Sequence, residues 1–254
     1  MEINYFKPEV VNNEAIADNI YKLQVKAEIN PIPGQFFMIR AWNNEPILSR
    51  PISISDYKDG ILTFVYQVVG QGTEFFKSIK IGEKLELLGP LGNGFKKNDI
   101  LEVNRIKEKN NKSIRIALVA GGIGIAPMKY LAENLREFNL DLYAGFRNKP
   151  YMIDSFKELV KEIYISTEDG SVSNKGYITD IFEAQKYDLV LSCGPEIMMN
   201  KIINMCKKKA IPVYISMEKH MACGIGACLV CTCKTKNGNK RTCKDGPVFS
   251  GEEF

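Results

Sequence analysis

The chain has 254 residues, with 34 Lys and Arg against 30 Asp and Glu and a formal net charge of +4. At 45% hydrophobic and 25% charged it has a globular balance, which excludes a disordered or low-complexity chain and leaves room for two ordinary domains and a small appendage. The weak charge is spread along the sequence, so no nucleic-acid surface is expected; the longest basic run, Lys207-Lys208-Lys209, reads as a helix end. The opening MEINYFKPEV has neither the basic start nor the apolar core of an export signal, and no run approaches a membrane span. A cytoplasmic location without a membrane segment is therefore expected, and the seven cysteines are expected to be ligands or free thiols rather than disulfides.

Residues 1–98 read as an all-β domain. Short apolar or alternating runs at Ile20–Val25, Gln35–Ile39, Ile52–Ser55 and Ile61–Val68 are separated by turn signals at Pro31–Gly34 and Asp59-Gly60. The spacing suggests a small barrel or sandwich. Residues 98–112, rich in Asn and Lys, read as a loop or linker.

From Ile114 the texture changes to alternating strands and helices. Strands are expected at 115–120, 140–146, 163–166, 188–192 and 213–217, and helices at 126–138, 154–162, 177–185 and 196–209. That alternation predicts a parallel, doubly wound sheet, which binds ligands beyond the carboxyl ends of its strands. Residues 217–254 hold the cysteine cluster and too few apolar residues for a core of their own, so a metal centre is expected to supply the missing stabilisation.

Four motifs carry chemistry. Arg50-Pro51-Ile52-Ser53 offers a guanidinium and a hydroxyl to a phosphate, provided Pro51 marks a strand start or bend, since strict alternation would separate positions 50 and 53. Gly70-Gln71-Gly72-Thr73 could bring backbone N–H groups and a hydroxyl to the same anion, or be an ordinary hairpin loop. Gly121-Gly122-Ile123-Gly124-Ile125-Ala126-Pro127 follows a strand and opens a helix, the context in which a glycine loop presents helix N-terminal amides to a diphosphate. Cys193-Gly194-Pro195-Glu196 sits at another strand end; Cys193 could lie near a nicotinamide or be a small buried residue in a turn.

Cys223, Cys228, Cys231 and Cys243 read C-x4-C-x2-C-x11-C, the thiolate spacing of a plant-type [2Fe–2S] site. The rival is structural zinc, which usually takes two short-spaced pairs. A fifth candidate, Cys233, lies two residues from Cys231, and in an extended segment both would face the same side; only Cys231 completes the spacing. A Rieske centre is excluded because His220 is the only histidine.

These motifs, in this order, resemble the ferredoxin-NADP reductase superfamily, with an R-x-x-S strand, a later G-x-T segment and G-G-x-G-x-A-P. The segments Glu218–Cys228, Leu88–Phe95, Glu168–Ser171 and Cys243–Phe249 further resemble the electron-transfer subunits of type B dihydroorotate dehydrogenases. The resemblance implies a flavin-binding β-barrel over 1–98, a nicotinamide-binding α/β domain over 99–216 and a small [2Fe–2S] domain over 217–254. It implies that electrons from an FMN-containing dihydroorotate dehydrogenase catalytic subunit pass through the [2Fe–2S] cluster and FAD to NAD+, in a heterotetramer of two copies of each subunit. A related NAD(P)H-ferredoxin oxidoreductase or sulfhydrogenase subunit is the alternative. Carried onto this sequence, Arg50 and Ser53 hold the FAD diphosphate and Pro51 and Ile52 line the flavin. Tyr66, Gln67 and Val68 run along its edge, with Gly72 and Thr73 on the phosphate side. Gly121, Gly122 and Gly124 receive the dinucleotide, and the four cysteines hold the cluster. Gln67 stands where relatives often carry Arg, which weakens the expectation for its contact. Arg147 and Lys149 leave the choice between NAD and NADP open.

Overall fold

The computed structural model describes residues 3–108 and 113–254. The first unit is an antiparallel sheet of β1 (Asn4–Phe6), β2 (Val10–Ala17), β3 (Ile20–Lys26), β4 (Phe36–Arg40), β5 (Arg50–Lys58), β6 (Ile61–Gln67) and β7 (Glu86–Leu91), in the order β1-β7-β4-β5-β6-β3-β2. Its hinge is β5. The first half of β5 pairs with β4, the second half with β6, and the register shifts between Ile54 and Asp56. That irregularity lets one sheet bend around a core containing Leu23, Phe37, Ile54, Phe64 and Phe76. The Asp59-Gly60 turn has φ of 51° and 73°, the left-handed pair that matches the twist of a tight hairpin. One helix belongs to this unit: α1 (Gln71–Ser78) begins where the sequence allowed a hairpin loop.

The second unit comprises α2 (Lys97–Glu108), β8 (Arg115–Gly121), α3 (Ile125–Asn134), β9 (Asn139–Phe146), β10 (Glu162–Thr167), β11 (Asn174–Lys175), α4 (Ile178–Ile181), β12 (Leu189–Cys193), α5 (Glu196–Lys207) and β13 (Val213–Ser216). With a later strand, β16, its sheet runs β11-β10-β9-β8-β12-β13-β16, parallel except for β16. β8 and β12 are almost wholly buried, as expected for strands covered on both faces. The chain moves outward from β8 through β9 and β10, then returns to place β12 on the other side of β8. In sheets with such a reversal, ligands bind at the carboxyl ends of the strands that flank it, here β8 and β12.

Three sequence expectations need correction. The Asn- and Lys-rich stretch is helical as far as Glu108, because Ile100 and Val103, three apart, form an apolar stripe that packs on the sheet; residues 109–112 lie outside the described residues. The helix expected over 154–162 is only a 3-10 turn at Ile153–Phe156: β10 begins at Glu162, and the intervening Phe156, Leu159 and Val160 pack into the sheet face instead. The helix expected over 177–185 shrinks to α4 and a 3-10 turn at Ala184–Lys186.

The two units interlock through α3. Lys129 pairs with Asp56 of β5, and the buried Tyr130 hydroxyl donates to the Pro31 carbonyl at 3.0 Å. Ala126 packs with Ile20 and Val65 of the barrel. The helix that opens after the glycine loop is thus wedged against the barrel.

The last segment contains β14 (Thr232–Thr235), β15 (Gly238–Arg241) and β16 (Val248–Ser250). β14 and β15 form a hairpin, and β16 joins the parallel sheet beside β13, with Ile215 opposite Phe249. The missing apolar core comes from its neighbours. Cys231 and Cys243 pack with Phe36, Met38 and Leu91 of the barrel, whereas Cys233 and Phe249 pack with Val213 and Ile215 of the α/β unit. Asn93 stitches the junction: its amide nitrogen donates to the carbonyls of Lys244 and Asp245 at 3.1 and 3.2 Å.

Candidate functional site

The first part of the site lies on the barrel. Arg50 is the first residue of β5, and Pro51, Ile52 and Ser53 follow it half-buried and in regular register with β4, so any bend that would bring positions 50 and 53 to one face is not in this stretch. The Arg50 guanidinium is 5.4 Å from the Trp42 ring centroid, and its Nη1 donates to the Leu48 carbonyl. Gly72 lies against it: a Cβ there would be 2.6 Å from Arg50 Nε and 2.9 Å from Trp42. The Arg-Pro-x-Ser strand and the Gly-x-Gly-Thr segment therefore meet. Thr73 Oγ1 accepts from the Val69 and Gly70 amides at 3.0 and 3.2 Å and donates to the Gly70 carbonyl, which shapes the start of α1. A helix start leaves its first amides without intrahelical partners, and a bare glycine beside a fixed guanidinium suits a diphosphate. This is the arrangement a flavin dinucleotide needs.

The Tyr66 side chain lies in the barrel core. Its ring is 2% exposed, stacked 5.8 Å from Tyr21 and edge-on 5.5 Å from Phe76. Burial pushes its phenol pKa upward. Strand alternation turns position 66 into the barrel core, so only its backbone can face a ligand. Gln67 is exposed and Val68 packs partly on the core.

The second part lies at the carboxyl ends of β8 and β12. Gly121, Gly122 and Gly124 occupy the β8–α3 turn, Gly122 with φ of 53° and open space where a side chain would stand. A Cβ on Gly121 would be 2.7 Å from Pro195, and one on Gly124 would be 2.3 Å from the Cys193 carbonyl oxygen. The turns after β8 and β12 are therefore in contact, which only glycine permits. Cys193 ends β12, but its thiol is 1% exposed and packs among core residues. Burial raises its pKa, the Glu218 charge adds to the rise, and a hydrogen bond with Ser216 partly offsets it. Of the two readings left open for this side chain, the structure shows the buried one, at the carboxyl end of β12.

The third part is the cysteine loop. None of the seven cysteines forms a disulfide. The Cys228 amide donates to Cys223 Sγ at 3.4 Å, and the Cys243 amide donates to Cys231 Sγ at 3.4 Å. The thiols also contact pairwise, 223 with 228 and 231 with 243. Among the described residues, no three such ligand types converge as they would around a single ion. Burial raises the Cys223 pKa, but N–H groups of Cys228, Ile225 and Ala227 outweigh it and bring the thiol down to about 6. Burial and the Cys231 thiol push Cys243 up to about 12. Gly224 and Gly226 have φ of 72° and 83° and let the loop turn tightly.

The structure also separates Cys231 from Cys233. β14 begins at Thr232, so Cys231 lies in the preceding turn, and the extended geometry that would have aligned the two does not hold. Cys231 faces Cys243 and the barrel, and Cys233 is buried on the other side of the segment. Sequence reasoning missed Trp42, which fixes Arg50, and Met38, which seats the cysteine loop. The first could have been flagged as the chain's single tryptophan; the second has no signal beyond its place in an apolar strand.

Residues 218–254 match the family model described as the iron-sulfur cluster binding domain of dihydroorotate dehydrogenase B. Among solved structures, one described as the NADH-dependent reduced ferredoxin-NADP oxidoreductase superposes with a TM-score of 0.80 at 28% identity, over 97% of this chain and 88% of that one. A ferredoxin reductase of carbazole 1,9a-dioxygenase superposes with a TM-score of 0.68 at 20% identity, over 85% of this chain and 69% of that one. The fold is thus that of the ferredoxin reductases, a flavin barrel joined to a nicotinamide sheet, with an iron–sulfur module appended. Two curated relatives are named dihydroorotate dehydrogenase B (NAD(+)), electron transfer subunit. The one from Clostridium acetobutylicum is 53% identical over 100% of this chain and 98% of its own length. The one from Clostridium perfringens is 50% identical over 100% and 99%. The chain belongs to the family of dihydroorotate dehydrogenase B electron transfer subunits.

Proposed function

We propose that this chain is the NAD+-reducing electron-transfer subunit of a type B dihydroorotate dehydrogenase in pyrimidine biosynthesis, with an FMN-containing catalytic subunit as its partner. The observation that carries the reading is the seating of the paired cysteines against β4. β4 is the direct neighbour of the Arg50–Ser53 strand, with Met38 opposite Pro51 and Phe36 opposite Ser53. FAD exchanges two electrons with NAD+ and single electrons with a [2Fe–2S] cluster, so it is the junction between the two kinds of transfer.

Each part of the chain has a task in this reading. Arg50, Ser53, Gly72 and Thr73 hold the FAD diphosphate, and Pro51, Ile52 and the backbone of Tyr66, Gln67 and Val68 border the flavin. Gly121, Gly122 and Gly124 bind the NAD+ diphosphate, with Cys193 as a neutral wall of the site. Cys223, Cys228, Cys231 and Cys243 hold the cluster. Around the exposed Cys228, Ile225, Leu229 and Val230 are 46%, 61% and 54% exposed, an apolar patch suited to docking the catalytic subunit. The assembly has two copies of each subunit and works in the cytoplasm; among the described residues, no helix is long and apolar enough to cross a membrane.

The test is to co-express the chain with an FMN-containing dihydroorotate dehydrogenase catalytic subunit from the same genome and assay dihydroorotate-dependent NAD+ reduction. The reading predicts a stable complex with that activity, lost on omission of either subunit. A complex that reduces a ferredoxin from NADH and leaves dihydroorotate untouched would overturn it in favour of the oxidoreductase alternative.

A further inference from the structure

Cys243, the last of the four candidate ligands, sits in a turn that Arg241 closes twice. Arg241 ends β15, and its carbonyl accepts from the Lys244, Asp245 and Gly246 amides at 3.1, 2.7 and 3.4 Å. Its side chain also forks onto Asp245. Nε donates to Oδ2 at 3.0 Å and Nη2 donates to Oδ1 at 3.1 Å, while the Arg241 amide donates to Oδ2 at 2.7 Å. A planar two-point pair of this kind fixes direction as well as charge.

The remaining guanidinium nitrogen reaches another segment. Nη1 donates to the Gly226 carbonyl at 3.3 Å, and Gly226 lies between Cys223 and Cys228. The Gly226 amide in turn hydrogen-bonds to the Cys243 thiol. Arg241 and Gly226 thus join the turn of the fourth cysteine to the loop of the first two. The cation also lies within electrostatic reach of the sulfurs: after Asp245, the Cys243 and Cys231 thiols act to raise its pKa. Its side chain is 34% exposed, so water and salt screen it only in part.

We propose that Arg241 is a positioning residue for Cys243 and that its charge sets how readily the cluster accepts an electron. This rests on the proposed function, which puts the cluster on Cys223, Cys228, Cys231 and Cys243. A [2Fe–2S] cluster gains one unit of negative charge on reduction, so a fixed cation beside two of its sulfurs favours the reduced form. Asp245 opposes that charge while it holds the fork in place. The Arg241–Asp245 pair therefore trades some of the cation's pull for a rigid seat of the fourth ligand.

The test is a dye-mediated redox titration of the purified full chain, followed by low-temperature electron paramagnetic resonance, with iron per chain measured alongside. Wild type is compared with Arg241→Gln, Arg241→Lys and Asp245→Asn. At the wild-type midpoint, the ratio of reduced to oxidised cluster in Arg241→Gln is expected to fall about tenfold, the scale of losing one partly screened charge. Arg241→Lys keeps the charge and should restore most of the ratio, but only part of the iron, because an ammonium cannot reproduce the fork. Asp245→Asn should raise the ratio while lowering the iron. Opposite shifts of the ratio with the same loss of iron separate a role of the charge from mere support of the turn. An unchanged ratio in Arg241→Gln, an equally low ratio in Arg241→Lys, or a fall in Asp245→Asn overturns the assignment. Where the glutamine variant holds too little cluster to titrate, Asp245→Asn decides: a raised ratio supports the assignment, and an unchanged or lowered one overturns it. A wild-type chain with no reduced [2Fe–2S] signal at any potential overturns the proposed ligand set, and the assignment with it.

Discussion

Met38 and Gly224 meet where the cysteine loop lands on the barrel: a Cβ on Gly224 would lie 2.6 Å from Met38 Cγ. Met38 in turn pairs with Pro51 across β4 and β5. One strand therefore separates the cysteine pairs from the flavin-binding motif, and the absence of a side chain at position 224 sets how closely they approach. Gly224 also has φ of 72°, which disfavours any L side chain.

Gly224→Ala is accordingly expected to push the loop off β4. The left-handed backbone alone costs about 1–2 kcal/mol, and the clash with Met38 adds to it. Iron content per chain, measured after anaerobic reconstitution, should fall, and thermal unfolding should move down by several degrees. Met38→Ala in the same background should restore part of the iron, because it removes the obstructing atoms.

The separation of Cys231 from Cys233 yields a paired prediction. Cys233→Ser should keep full iron content and the visible spectrum of the cluster, because its thiol packs with Val213 and Phe249. Cys231→Ser should lose most of the iron. Equal iron in the two variants would show that the ligand set has been misassigned.

Much of this site is legible in the sequence because its chemistry depends on local spacing. The C-x4-C-x2-C run, the glycine turn after β8 and Arg-Pro-x-Ser each state a requirement that neighbouring residues must meet. What depends on packing between distant segments is not legible. Tyr66 sits in the same strand as exposed Gln67; alternation puts the two on opposite faces, and only the packing of the barrel core around Tyr21 and Phe76 decides which face is inward. The stretch after Asn98 looks like a linker because it is rich in Asn and Lys. It is a helix because Ile100 and Val103 find an uncovered sheet face. β16 gave no signal of joining the parallel sheet, since three residues beside a proline carry little pattern of their own.

The flavin cradle depends on the contact between Gly72 and Arg50. Arg50→Ala should weaken FAD binding by about tenfold to a hundredfold, the range for losing a hydrogen bond to a charged group. Gly72→Val should do the same without touching the guanidinium, because its side chain would occupy the space of Arg50 Nε and Trp42. Both are read by titrating FAD into the apoprotein and following quenching of the flavin fluorescence.

Tyr130 supplies one of the α3 contacts that join the two large units. Tyr130→Phe removes the donor to the buried Pro31 carbonyl and should cost about 1–3 kcal/mol. Differential scanning calorimetry should show a lower unfolding temperature, with the α/β and barrel transitions less tightly coupled. An unchanged profile would mean that the hydroxyl is not used.

The central claim is that this chain carries electrons between its nicotinamide site and its cysteine pairs through FAD. The direct measurement is an anaerobic NADH titration of the purified subunit, followed by its visible spectrum and by low-temperature electron paramagnetic resonance. The account predicts bleaching of FAD together with the signal of a reduced [2Fe–2S] cluster, and loss of that signal alone in Cys228→Ala. Flavin that NADH reduces while the wild-type cluster stays oxidised at equilibrium with excess NADH would contradict it.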